Sequence, residues 1–177
     1  MSEEKKKTIH SSFWANIFNP QTETADLVKV LRTVPIFKSL TKRDLHNFLI
    51  IVHYRNYLAG EYIFYQGDPG IGLYIIREGE VEIVRENEKD FKLTLAVIQK
   101  SDFFGELALV DGEKRSASAI AKSDTRLSVI FKPDLDEFID KYPKKGIKIL
   151  KGIAEITTAR LRALNEDYFK IRTENKN

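Results

Sequence analysis

The sequence predicts an α+β fold that is mainly β, in which a sandwich or jelly roll of short strands lies between two helical regions. Residues 53–132 contain short runs of β-branched and aromatic residues that are broken at glycine turns. The segments before and after carry apolar residues at the three- and four-residue spacing of amphipathic helices. A chain of 177 residues with 42% hydrophobic residues fits one such domain with extensions.

The chain begins with a charged segment that we expect to be a flexible leader over residues 1–23, with one short aromatic helix. Four apolar side chains of that helix share one face: Phe13, Trp14, Ile17 and Phe18. We interpret this face as packing on the domain itself or on a second copy. A docking peptide or an interfacial membrane contact is the alternative.

The pattern of residues 24–52 predicts an N-terminal lead-in made of two helices. Asn19 and Pro20 are expected to end the leader, and Thr24 or Asp26 to cap the first helix. Its apolar side is predicted to consist of Leu27, Val30, Leu31 and Val34. The second helix begins at Thr41, and Asp44 stands at the position of a capping-box acid.

The region of residues 53–132 predicts seven or eight short strands. The candidates are residues 53–58, 61–65, 72–77, 80–86, 91–98, 116–122 and 126–132. Most glycines between them are interpreted as turn residues. Gly72 is the exception, because it stands near strand residues that face the candidate site.

Residues 133–177 predict C-terminal helices: Pro133 ends the strands, residues 134–139 form a short helix, and Pro143 begins a long one that reaches about residue 171. One stripe of the long helix is assigned to its own domain: Ile149, Ile153, Ile156 and Arg160. A second stripe has heptad spacing and is assigned to self-association: Leu150, Ala154, Thr157, Leu161, Leu164, Tyr168 and Ile171. A helix folded onto its own domain or frayed in solution is the alternative.

Residues 103–119 have the composition of a site for an anion attached to a sugar. Gly105 permits close approach of the backbone, and the residues after it fit one helical turn with free N–H groups. Arg115 supplies a planar fork for two phosphate oxygens. Glu106 is an acceptor for a hydroxyl proton. The alternatives are a surface acid that caps the turn and a structural ion pair of Arg115 with Glu106, Asp111 or Glu113.

At these residues the chain resembles the phosphate-binding cassette of the cyclic nucleotide-binding domain family, which reads Phe-Gly-Glu-Leu-Ala-Leu, a variable turn, Arg and small residues. The matching residues are Phe104, Gly105, Glu106, Leu107, Ala108 and Leu109, then Arg115, Ser116 and Ala117. The resemblance implies an eight-stranded antiparallel β-roll, a double-stranded β-helix, flanked by N-terminal helices and a long C-terminal helix.

The same resemblance implies a role for each cassette residue. Glu106 is expected to hold the ribose 2′-hydroxyl, while Arg115 and the first amides of the cassette hold the cyclic phosphate. Ser116 favours cyclic AMP as the ligand, with cyclic GMP as the alternative. The last helix is expected to cover the base through Thr157, Arg160 and Leu161.

Other chemistries lack support in the sequence. The three histidines are not spaced as metal ligands, and no nucleophile triad or Walker loop is present, so we expect neither an enzyme nor a cofactor. A net charge of +3 is too small to indicate nucleic acid, and we expect no helix-turn-helix after the long helix. No apolar run reaches the length of a membrane span, so a membrane partner is not expected.

The sequence therefore predicts a stand-alone regulatory module that senses cyclic AMP and signals through movement of its C-terminal helix. We expect a cytoplasmic protein, since the chain has no cysteine, with a homodimer through that helix and an effector protein as partners. The alternative is a non-catalytic interaction scaffold with an empty pocket, acting through residues 13–18 and the C-terminal helix.

Overall fold

The computed structural model describes residues 20–87, 91–110 and 112–174, and the aromatic segment predicted at residues 13–18 lies outside this range. The helices of the described residues are α1 (Pro20–Thr33), α2 (Lys42–Phe48), α3 (Lys132–Lys141) and α4 (Pro143–Glu174). Short 3-10 helices lie at Pro35–Phe37, Leu49–Ile51 and Leu107–Leu109. None of the described helices combines the length and apolar character that crossing a bilayer requires.

The described strands are β1 (Val52–Tyr57), β2 (Tyr62–Phe64), β3 (Gly72–Glu78), β4 (Val81–Glu86), β5 (Lys92–Ile98), β6 (Phe103–Phe104), β7 (Ser118–Ala121) and β8 (Thr125–Phe131). They form two antiparallel four-stranded sheets, in the orders β1-β8-β3-β6 and β2-β7-β4-β5. This architecture confirms the predicted β-roll between helical regions. The sequence prediction missed β6 among its candidate strands, because two residues are too few to show an alternating pattern.

Helix α1 differs from the prediction, because it extends before the residues expected to cap it. Thr24 and Asp26 were expected to cap this helix, whereas the helix already includes Pro20. The apolar side predicted for this helix is confirmed at Leu27 and Leu31, which are fully buried.

The capping box predicted at the start of α2 is confirmed. The Thr41 hydroxyl accepts a hydrogen bond from the Asp44 amide at 3.1 Å, and the Thr41 amide donates to the Asp44 carboxylate at 3.1 Å. The carboxylate also lies 3.4 Å from the ammonium of Lys145 on α4. Local capping and a contact with the last helix thus fix α2 in place.

Two apolar clusters position the sheets. Strand β3 separates them, because its side chains alternate between the two faces of the sheet. Leu73 and Ile75 pack with the helices, whereas Tyr74 and Ile76 point into the roll. This double burial explains why the first five residues of β3 are all buried.

The C-terminal helices follow the prediction closely, although α3 begins at Lys132 and α4 continues to Glu174. Ile149 and Ile153 are buried, which confirms that the first stripe faces the domain. Helix α4 crosses the Pro35–Phe37 turn so closely that a Cβ at Gly152 would collide with the carbonyl of Ile36. Residues 157–173 are all exposed, so α4 has an anchored part and a part that extends over about 25 Å.

We expect Gly152→Ala to destabilise the protein by about 1–3 kcal/mol, because the added methyl forces α4 away from the Pro35–Phe37 turn. A loss of stability would be informative, because replacing glycine by alanine in a helix interior normally stabilises the helix by about 1 kcal/mol. Urea unfolding measures the change, and Ala159→Gly at an exposed position of α4 measures the propensity effect alone. A stabilised Gly152→Ala protein would contradict the close crossing.

Candidate functional site

A cavity of about 520 Å³ lies between the strands of the roll and helix α4. This volume is in the usual range for a small-molecule site. The residues that line it are Phe64, Ile83, Ala96, Ile98, Phe103, Phe104, Gly105, Glu106, Leu107, Glu113, Lys114, Arg115, Ser116, Ala117 and Arg160. The lining combines apolar side chains with charged groups of both signs.

Arg115 is the most constrained cation of this cavity. Only 7% of the residue is exposed, yet one of its terminal nitrogens donates to the Gly72 carbonyl at 2.9 Å and the other to the Gly105 carbonyl at 3.2 Å. The guanidinium carbon lies 4.2 Å from the ring centre of Phe64 and 5.4 Å from that of Tyr74. Cation–π attraction therefore adds to the two hydrogen bonds that the guanidinium donates to neutral carbonyls.

The ion pair with a carboxylate, which was the alternative interpretation of Arg115, is not what the structure shows. Among the described residues, which exclude Asp111, no carboxylate lies within salt-bridge distance of Arg115, and the Nε of Arg115 is buried without a hydrogen-bond partner. Burial lowers the pKa of Arg115, and the hydroxyl of Tyr74 and the carboxylate of Asp68 oppose that shift. A buried cation that has no carboxylate within salt-bridge distance retains capacity for an anion.

The backbone of Arg115 is fixed by the turn after β2. Its amide donates to the Asp68 carbonyl at 2.8 Å, and its carbonyl accepts from the Gly67 amide at 2.8 Å. Gly67 has a φ of +87°, which suits a residue without a side chain. The predicted turn cluster after β2 thus has a direct role in placing the guanidinium.

Gly105 stands at the point where the backbone meets the guanidinium. Its φ is +77°, and a Cβ there would lie 2.7 Å from a terminal nitrogen of Arg115 and 3.0 Å from the Gly72 carbonyl oxygen. The sequence suggested that this glycine admits a ligand. The structure adds that it also admits Arg115.

Glu106 is buried, with only 3% of the residue exposed, and its carboxylate forms an ion pair with Arg160 of α4. The guanidinium carbon of Arg160 lies 5.2 Å from the ring centre of Phe103. Glu106 makes no side-chain cap to the Leu107–Leu109 turn, so the interpretation as a surface capping acid is wrong. The carboxylate is buried in the cavity wall and paired with the last helix.

The remaining cassette residues surround these charges. Phe104 is buried and stacks on Tyr74 with 5.2 Å between ring centres, while half-exposed Leu107 lines the cavity. Leu107 and Ala108 lie in the 3-10 turn. The small residues Ser116 and Ala117 line the cavity next to Arg115, as their size and position suggested.

The three base-cover candidates lie in different places. Arg160 lines the cavity, but it contacts Glu106 and Phe103. The Thr157 hydroxyl donates to the Ile153 carbonyl at 3.0 Å, and Leu161 is more than half exposed. Neither Thr157 nor Leu161 lines the cavity in this arrangement.

Several lining residues were not singled out from the sequence. The apolar wall is formed by residues of four strands: Phe64, Ile83, Ala96, Ile98 and Phe103. Ala96 and Ile98 share one face of β5, and this alternation was the available signal. No group of three or more His, Cys, Asp and Glu residues in the described chain is placed to hold a metal ion.

Comparison with known proteins gives three kinds of match. The sequence model of the cyclic nucleotide-binding domain matches residues 54–142. The cyclic AMP receptor protein of Thermus thermophilus is 34% identical over 128 residues, and a cAMP-dependent protein kinase regulatory subunit of Hypocrea atroviridis is 33% identical over 102 residues. These matches cover 72% and 58% of this chain, but 57% and 21% of the two relatives.

The solved structures agree with the sequence matches. The catabolite activator protein of Thermus thermophilus superposes with a TM-score of 0.70 at 32% identity, over 78% of this chain and 63% of that protein. A cyclic nucleotide-binding domain of Methylobacillus flagellatus reaches a TM-score of 0.73 at 24% identity, over 86% of this chain and 84% of that domain. The second likeness concerns the fold alone.

We expect Gly105→Ala to destabilise the protein by about 1–3 kcal/mol, from left-handed strain and displacement of Arg115 together. Gly112→Ala is the matched control, since Gly112 has a φ of +66° but no neighbour nearer than 3.9 Å to an added Cβ. Thermal unfolding of the two variants separates strain from displacement. Equal losses in the two would show that Arg115 does not depend on the space at Gly105.

Proposed function

This chain belongs to the cyclic nucleotide-binding domain family, and we propose that it is a non-catalytic regulatory module whose ligand is cyclic AMP. The chain spans little more than half of the bacterial receptor relative and a fifth of the kinase subunit, so effector and pathway are part of the proposal. We also keep the expected cytoplasmic location, which the absence of cysteine supports.

The observation that carries the proposal is Arg115, a buried guanidinium on a cavity wall with two carbonyl partners and no carboxylate partner among the described residues. A cyclic phosphate carries one negative charge and supplies oxygens that a guanidinium can bind in a planar, bidentate geometry. The Leu107–Leu109 turn begins beside it, and its first amides are further donors. We assign the phosphate to this corner of the cavity.

The sugar and the base follow from this placement. Buried Glu106 is an acceptor for the ribose 2′-hydroxyl, close to the phosphate corner. The apolar wall of Ile83, Ala96, Ile98 and Phe103 suits a purine ring. We favour cyclic AMP over cyclic GMP because of Ser116 and because the two relatives are named for cyclic AMP.

We further propose that two copies associate through α4. The seam residues Leu161, Leu164, Tyr168 and Ile171 are each more than half exposed, and their four- and three-residue spacing is that of a coiled coil. In a parallel pair, Asp167 of one helix faces Arg172 of the other, five positions further along, so charges of opposite sign flank the seam. A second copy is therefore the occupant that fits this face.

The binding prediction concerns Arg115 and Glu106. We expect wild-type protein to bind cyclic AMP saturably, and Arg115→Ala to lose roughly ten- to hundredfold in affinity, since one charged contact is worth about 1.5–3 kcal/mol. Arg115→Lys should fall between them because it keeps the charge without the fork. Glu106→Ala should also weaken binding, through loss of the hydroxyl acceptor.

Calorimetry and thermal shift with cyclic AMP, cyclic GMP and cyclic dinucleotides provide the measurement. Arg85→Ala is the matched control, because Arg85 is exposed on β4 and does not line the cavity. Far-ultraviolet circular dichroism verifies that each variant is folded. A wild-type protein that accepts none of these ligands would instead favour the scaffold with an empty pocket.

The association prediction concerns Leu164. We expect the wild-type chain to sediment at twice the mass of one chain, and Leu164→Asp to sediment as a monomer because it buries charge in the seam. Ala159→Asp is the matched control, since Ala159 is exposed on the side of α4 away from the seam. Wild-type protein that is monomeric at micromolar concentrations, or equal dissociation of both variants, would exclude this interface.

A further inference from the structure

A groove of about 750 Å³ lies between α1 and α2, on the helical part of the domain. Its lining includes Ala25, Val28, Lys29 and Arg32 of α1 and Lys42 and His46 of α2. We propose that this α1–α2 groove is the docking site for residues 13–18 of the same chain, the aromatic segment that lies outside the described residues. The described residues begin at Pro20, little more than one helical turn before the groove.

The groove offers carbon surface to an occupant. Ala25 is exposed, and Val28 is only partly buried against the helical core. The long stems of Lys29, Arg32 and Lys42 add aliphatic carbon to the lining, because such side chains keep only their charged ends in water. An apolar occupant would therefore remove carbon surface from water on both sides of the contact.

The charges of the groove select the kind of apolar occupant. Among the described residues, no Asp or Glu lines the groove. Lys29 is paired with Asp26 at 2.9 Å, whereas the side chains of Arg32 and Lys42 have neither an ion pair nor a hydrogen bond with any described residue. Cations beside carbon surface attract the faces of aromatic rings, which carry the negative part of the ring quadrupole. The groove thus suits an aromatic segment that brings no positive charge of its own.

The segment before Pro20 has this composition. Residues 8–19 contain no Lys, Arg, Asp or Glu, and four apolar side chains share one helical face: Phe13, Trp14, Ile17 and Phe18. Three of these four are aromatic. A helix that lies on a membrane surface is normally rich in Lys and Arg on its polar face, and residues 8–19 have none there. The groove of the domain is therefore the better match for this face.

The length of the connection permits the docking. Residues 13–19 span up to about 23 Å when extended, and Arg32 lies about 18 Å along α1 from Pro20. A proline disfavours the helical conformation in the residue before it, so Asn19 is a position at which the chain can turn back. Because so short a connection keeps the segment close to its own groove, docking within one chain is favoured over docking on a second copy.

The test uses the fluorescence of Trp14 in the full chain. The chain has one tryptophan, so the emission reports this segment alone. We expect the folded wild-type protein to emit at a shorter wavelength than the same protein unfolded in urea. We also expect acrylamide to quench the folded protein less efficiently, because docking removes the indole from water.

Two variants address the groove. Ala25→Arg fills it from an exposed position without removing a core side chain, and we expect it to shift Trp14 emission to the wavelength of the unfolded chain. Arg32→Gln combined with Lys42→Gln keeps the shape of the groove but removes its unpaired charges. Each cation–π contact at an exposed site is worth about two- to fivefold in the docking equilibrium, so this variant should be quenched more efficiently than wild type.

The matched controls are Ala159→Arg and Arg43→Gln, which change exposed helical residues outside the groove lining and should leave the emission as in wild type. Far-ultraviolet circular dichroism verifies the fold of every variant. Emission of a buried Trp14 that neither groove variant changes, or that the controls change equally, overturns the proposal.

Two further outcomes assign the segment to another occupant and also overturn the proposal. A short-wavelength emission that is lost on dilution to nanomolar protein places the segment on a second copy. An exposed Trp14 in the wild-type protein excludes the docking, and a shift that appears only with phosphatidylserine vesicles then places the segment on a membrane. None of these measurements requires a cyclic nucleotide, so they leave the function proposed above untouched.

Discussion

The arrangement of the site depends on one buried guanidinium. Arg115 joins β3, through the Gly72 carbonyl, to the end of β6, through the Gly105 carbonyl. The strands β3 and β6 pair with each other, and the Arg115 backbone is bonded to the turn after β2. Three parts of the roll therefore meet at one charge, which neutral carbonyls and aromatic faces stabilise. A structural role and readiness for an anion are compatible, because the guanidinium has five N–H donors.

Features that depend on adjacent residues could be predicted from the sequence. The capping box needs only Thr41 and Asp44, and the cassette turn is encoded in one contiguous stretch. Most strands were predicted because side chains alternate within each of them. The extent of α1 could not be predicted in this way, because Thr24 fits the rules for a helix beginning and no local pattern shows that the helix already includes Pro20.

Features that depend on how distant elements meet were beyond the sequence. Glu106 and Arg160 are 54 positions apart, and their contact depends on where α4 crosses the domain and on its rotation. That crossing is set by the space at Gly152 against the Ile36 carbonyl, which no periodicity reveals. The stripe containing Ile149, Ile153 and Arg160 indicated the inward side of α4. It did not indicate that the last member of the stripe would pair with the residue assigned to ribose.

Helix α4 lines the cavity through Arg160 and also carries the seam proposed to bind a second copy. Binding at the site and association of copies are therefore linked energetically. In proteins most of the stability of a helix comes from packing of its apolar face, and residues 157–173 of α4 are all exposed. The ion pair of Arg160 with Glu106 and a second copy along the seam can each supply a contact to this segment. If a ligand repositions this segment and thereby changes the affinity between copies, association must change the affinity for the ligand by the same factor. Position Arg160, between the anchored and exposed parts of α4, is where this coupling has a physical basis.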